Sequence, residues 1–156
     1  MATAIGGNEV FEMAMRMEQI GKDFYEALAL GCDDAEVGAF CQKTAKQEAT
    51  HLVAFRQMRD RWARSARPQS WRVMPESTEA LAAIVRDRVQ PDPAAVHKVA
   101  VGGNLKDALR MAIKMEQDAV GFYTELSARL PDSAAAIQGI VAEEKKHLVG
   151  LRMLAV

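Results

Sequence analysis

The chain has 156 residues, 49% of them apolar and 26% charged, with a formal net charge of −1. That length suits one compact domain with a sizeable core, and the near-neutral balance excludes a general attraction to nucleic acid or to an anionic membrane. Two cysteines, Cys32 and Cys41, make neither a disulfide framework nor a CxxC metal knuckle.

The first ten residues, MATAIGGNEV, lack both a basic stretch and a long apolar run, so no secretory signal is expected. No window reaches the roughly 18 apolar residues of a membrane span. A reducing cytoplasm is the expected setting. A first helix is predicted over 8–31, with Asn8 as a candidate cap and Gly31 at its end. Its inward seam, read at alternating steps of three and four, is Phe11, Ala14, Glu18, Gly21, Tyr25 and Leu28. Residues Cys32-Asp33-Asp34 break it from a second helix over 34–65, whose seam is Val37, Cys41, Thr44, Glu48, His51, Phe55, Met58 and Trp62.

The stretch from Arg59 to Arg72, RDRWARSARPQSWR, is basic with two tryptophans and reads as a solvated helix end whose tryptophans anchor the linker. Residues 66–103 form that linker, which carries Pro68, Pro75, Pro91 and Pro93, the pair Gly102-Gly103, and a short helix predicted over Ser77–Val89. His97, in this linker, has no companion and reads as a surface residue.

A third helix is predicted over 104–130, capped by Asn104, with the seam Leu109, Ala112, Glu116, Ala119, Tyr123 and Leu126. Leu130-Pro131-Asp132-Ser133 separates it from a fourth over 133–154, with Ile137, Ile140, Glu144, His147, Leu151 and Leu154 on its seam. Two tight turns imply two antiparallel hairpins, 8–65 and 104–154, and the long connector fits a single domain built as a four-helix bundle with one end-to-end crossover. A linker of this length also allows the hairpins of two chains to exchange, and a homodimer is expected.

The chain repeats itself. MAMRMEQIGKDFYEAL, from Met13, aligns without gaps on MAIKMEQDAVGFYTEL, from Met111, and QEATHLVAFR aligns on EEKKHLVGLR downstream. Two of the three histidines, His51 and His147, thus stand three residues after a glutamate in equivalent places. Glu143 is also within helical reach of His147, but the repeat selects Glu144, because Gln47 matches Glu143. Glu18 lies about thirteen residues before the first turn and Glu48 about fourteen after it, which at about 1.5 Å per residue sets them level. Glu116 and Glu144 are level across the second turn in the same way. Pseudo-twofold packing of the hairpins would gather four glutamates and two histidines into one buried layer.

Such a layer needs compensation. An unpaired buried carboxylate costs several kcal/mol even after relaxation, and like charges raise that further. Two divalent cations would neutralise the four carboxylates, with imidazoles as neutral nitrogen ligands. The bland counterparts are a Glu–His hydrogen-bond network or a decayed site kept for packing.

With these paired E…ExxH motifs the chain resembles the ferritin-like superfamily, and within it the rubrerythrin-like di-iron carboxylate proteins. The resemblance covers all four long helices and implies an all-α ferritin-like bundle. It implies Glu18, Glu48, His51, Glu116, Glu144 and His147 as metal ligands, with Glu18 and Glu116 terminal and Glu48 and Glu144 bridging. It also implies that Tyr25 and Tyr123 are catalytic tyrosines beside the metals, where a hydroxyl steadies a ligand carboxylate. Read from the residues alone, they are core aromatics whose hydroxyl needs a partner. Two departures stand out. No four-cysteine rubredoxin follows the fourth helix, so a separate electron donor protein is expected. Ala119 also stands where rubrerythrins carry an extra glutamate, which leaves a plainer four-glutamate, two-histidine site like that of bacterioferritin.

The cofactors expected are two divalent metal ions, iron first, with manganese and zinc compatible with the same donors. The expected chemistry is oxidation by dioxygen or hydrogen peroxide, admitted to a pocket beside Gly21 and Ala119. Iron binding or carriage without turnover, and a purely structural role, are the competing classes.

Overall fold

In the computed structural model, which describes residues 6–65 and 92–156, every regular element among the described residues is helical. The elements are α1 (Gly7–Gly31), α2 (Ala35–Arg64), α3 (Pro93–Gly102), α4 (Leu105–Arg129), a 3-10 turn at Pro131–Ser133, and α5 (Ala134–Leu154). None is long and apolar enough to cross a membrane.

Local chemistry sets the boundaries. The Asp34 carboxylate accepts from the N–H groups of Glu36 (2.9 Å) and Val37 (3.0 Å), and Asn104 accepts from Asp107 N–H at 2.8 Å. Each cap satisfies donors that the first helical turn leaves free. Asn8, predicted as the cap of the first helix, lies inside α1 instead. The helix starts after Gly6, whose N–H donates to the Glu9 carboxylate at 2.7 Å. That start is fixed from the far side, because Gly7 lies against the Trp62 ring so closely that a Cβ would stand 2.5 Å from it.

The linker differs from its sequence reading in one respect. A short helix that the sequence reading did not include lies at Pro93–Gly102. Asp92 caps it by accepting from Ala94 N–H, and Pro93 opens it. The predicted helix over Ser77–Val89 lies outside the described residues, as does Trp71. His97 is exposed on α3, as expected.

Every predicted seam position is buried except Trp62 and Leu154, which are half-buried. The apolar ones divide into two clusters. One takes Val10 and Phe11 from α1, Phe55 and Met58 from α2, Phe122 and Leu126 from α4, and Ile137 and Ile140 from α5. The other takes Phe24 and Leu28, Val37 and Cys41, Leu109 and Ala112, and Leu151, and is closed by Val96 and Ala100 of α3. The start of α1 therefore shares an end of the bundle with the end of α2, the end of α4 and the start of α5. Thus α2 finishes at one end of the bundle and α4 begins at the other. Between the two clusters lies a polar layer.

Candidate metal centre

The polar layer is where the helices carry their buried acids and imidazoles. Glu18, Glu48, His51, Glu116, Glu144 and His147 are all at most 4% exposed. They form two overlapping groups, Glu18–Glu48–His51–Glu144 and Glu48–Glu116–Glu144–His147, each with ligand atoms within 4.8 Å of one another. All six candidates named from the sequence thus converge, and Glu48 and Glu144 belong to both groups.

Those two glutamates divide their oxygens. Glu144 Oε1 is 2.9 Å from His51 Nδ1, and its Oε2 is 2.9 Å from His147 Nδ1. Glu48 sets Oε2 at 3.5 Å from His51 Nδ1 and Oε1 at 3.4 Å from His147 Nδ1. One oxygen toward each histidine is the posture of a bridging carboxylate. Glu18 approaches only His51 (3.4 Å) and Glu116 only His147 (3.6 Å), the posture of terminal donors.

The imidazoles are aimed from behind. His51 Nε2 donates to Glu143 Oε2 at 2.8 Å, and His147 Nε2 donates to Gln47 Oε1 at 3.2 Å. An acceptor on Nε2 places a proton there, so Nδ1 is the nitrogen presented to the carboxylates. In the sequence, Glu143 stands out only as a neighbour of His147 on its own helix. Its reach to His51 across the bundle is a tertiary fact with no signature in local spacing.

Four atoms in the layer are buried without a hydrogen-bond partner: both Glu18 oxygens, His51 Nδ1 and Glu144 Oε1. His51 Nδ1 and Glu144 Oε1 are 2.9 Å apart yet misaligned for a hydrogen bond, as two donors sharing a third body would be. Buried polar atoms are otherwise almost always paired. This donor set, oxygen-rich with one imidazole per group, fits a pair of divalent cations.

Burial and mutual repulsion drive the four acids to different protonation states. Burial and the neighbouring Glu48 hold Glu18 well above the carboxylate range. Burial likewise lifts Glu116 to about 8, helped by Glu48 and Glu144. Burial works against the ionised form of Glu48 too, but the close approach of Glu18, His147 and His51 wins and holds it down to about 2. Burial would lower His147, yet the carboxylates of Glu116, Glu144 and Glu48 around it push it up to about 12. The imidazoles serve as the layer's internal cations.

The tyrosines behave differently from each other. Tyr25, on α1, donates to Glu116 Oε1 on α4, which ties one hairpin's hydroxyl to the other hairpin's terminal acid. Tyr123 points at the Ala14 carbonyl from 3.4 Å, with Glu18 nearby. A cleft of about 40 Å³ opens onto the layer between α1 and α4, lined by Met17, Gly21, Met115, Asp118 and Ala119 beside the acids. This is the pocket expected beside Gly21 and Ala119. Met17, Met115 and Asp118 were not foreseen, although Met17 and Met115 are equivalent positions in the repeat.

Comparison with known proteins narrows the fold. No protein-family model and no curated protein matches the chain. A solved structure from Thermotoga maritima, provisionally described as a ferritin-like diiron-carboxylate protein, superposes with a TM-score of 0.71. It covers 97% of this chain and 95% of its own, at 23% identity. The fold is ferritin-like. Two antiparallel hairpins, with the acids at mid-height, make this ferritin-like bundle one whose polar layer fits a dinuclear metal site.

Proposed function

We propose that the protein binds two metal ions, iron in the first place, and works as an oxidoreductase of ferroxidase or peroxidase type on dioxygen or hydrogen peroxide. The observation that supports it is the set of partnerless buried atoms, converging beside a cleft that reaches them. Glu18, Glu48, His51 and Glu144 would hold one ion, and Glu48, Glu116, Glu144 and His147 the other. Two divalent ions cancel the four carboxylate charges. Iron in such a site supplies a two-electron couple, one electron from each ion, for reduction of the oxidant.

The chain's own groups do the rest. Glu48 and Glu144, each with one oxygen toward each histidine, would be shared between the two positions. Glu143 and Gln47 keep the Nε2 protons in place, so that Nδ1 faces the site. Tyr25 fixes Glu116 and keeps its hydroxyl proton, because burial and Glu116 raise it far above its ordinary range. The cleft has room for a few water-sized molecules, which suits dioxygen or peroxide and excludes bulky organic substrates. Electrons for turnover would come from a separate donor protein or from further Fe(II).

Anaerobic loading of the protein with Fe(II), followed by air or peroxide, tests this. Two equivalents bound, a fast rise in ferric absorption and repeated cycles with added reductant are expected. Stoichiometric binding without cycling would make the protein an iron carrier, and no uptake would overturn the metal reading.

A further inference from the structure

We propose that the two metal positions are unequal, and that Glu143 makes the one at His51 fill first. The inference rests on the dinuclear reading above and concerns residues that reading leaves in the background.

The repeat sets Gln47 and Glu143 in equivalent places, each one residue before a shared glutamate. Each crosses to the other hairpin's histidine. The bond from His51 to the Glu143 carboxylate is 2.8 Å, and that from His147 to the Gln47 amide is 3.2 Å. A carboxylate behind an imidazole makes the ring a stronger electron donor and brings a negative charge toward the ion, whereas an amide only orients the ring. An internal repeat has therefore produced one charged and one neutral support.

The partnerless atoms point the same way. Glu18 Oε1 and Oε2, His51 Nδ1 and Glu144 Oε1 all belong to the group around His51. In the other group, Glu116 accepts the Tyr25 hydroxyl, and His147 Nδ1 is hydrogen-bonded to Glu144 Oε2 at 2.9 Å. A cation at the first position displaces no hydrogen bond between side chains, while one at the second must displace the bond from His147 to Glu144. Partners of this kind change metal affinity by about 10- to 100-fold. That is the separation expected between the two binding steps.

The test is anaerobic titration of the full chain with Co(II), followed by visible absorption and by the paramagnetically shifted ring N–H resonances of the two histidines. Two resolved steps are expected, with the His51 N–H appearing in the first. Glu143→Gln should weaken the first step about 10- to 100-fold and merge it with the second, and Glu143→Asp should restore part of the separation. The double exchange Gln47→Glu with Glu143→Gln should reverse the order. Glu143 is half-exposed, so these variants should fold, which circular dichroism checks. Should Glu143→Gln fail to fold, Gln47→Glu alone should tighten the second step and leave the first in place. Two equivalents entering in one unresolved step, or a separation untouched by Glu143→Gln, would overturn the inference while leaving the dinuclear site intact. A folded chain that binds no cobalt would overturn both.

Discussion

At the residue scale, the division of labour among the six buried donors makes substitutions distinguishable. Glu18→Gln removes a terminal donor whose folded form already favours the neutral acid. It should leave the metal-free protein about as stable as before and reduce binding from two equivalents to one, read by metal analysis after gel filtration. Glu144→Gln removes a carboxylate that serves both histidines and should abolish tight binding altogether. Gly21 offers a second handle. A Cβ there would meet the Glu48 carboxyl at 3.6 Å, an ordinary contact, so Gly21→Ala should be accommodated. Gly21→Leu should fill the cleft, slowing the reaction with peroxide at least about tenfold while two ions still bind, because all six donors remain and the leucine lies against Glu48 rather than replacing it. Stopped-flow absorbance separates the two effects. The sequence disclosed the six donors for a definite physical reason. Ionisable groups on an otherwise apolar seam are costly, and here they recur in both halves of a repeat. It could not disclose Gln47 and Glu143, which stand off the seam and acquire meaning only when the hairpins pack.

At the element scale, the long helices were legible because their apolar spacing, caps and breakers agree with one another. Asp34 stops α1 from running into α2 by accepting two otherwise free N–H groups. Asp34→Ala should cost about 1 kcal/mol, measured as a lower midpoint in urea with an unchanged slope. Helix α3 escaped prediction for an equally local reason. Its Asp92-Pro93 start is a good cap followed by a proline at the first helical position, but a proline- and glycine-rich neighbourhood masked it. Only Val96 and Ala100 of its ten residues are buried, so its amphipathic signal is short. The start of α1 came within one residue, but its cap moved from Asn8 to Gly6, where Gly7 packs against Trp62, distant in sequence.

At the scale of the whole molecule, the acid layer ties stability to pH. Glu116, raised to about 8, and Glu18, raised well above its ordinary value, bind protons more tightly in the folded chain than in the unfolded one. Their contribution is complete below the unfolded value of 4.5 and disappears as pH climbs through the folded values. His147, pushed up to about 12, acts in the same direction above 6.5, and Glu48, held at about 2, acts the opposite way only in acid below 4.5. The metal-free protein should therefore melt several degrees lower at roughly pH 9 than at roughly pH 5, in calorimetry. Loaded protein should show the reverse tendency, since metal must displace those protons and binds more tightly as they leave. The gap between loaded and stripped melting temperatures should widen with pH. A flat profile for the stripped protein would mean that the acids ionise in the layer without cost.

The hairpins also differ in how they are joined. Packing within each is far more extensive than packing between them, and each ligand group draws on both. Severed in the crossover, the two halves would form a split protein whose reassembly reports on metal, loosely paired through grease alone and clasped once ions arrive.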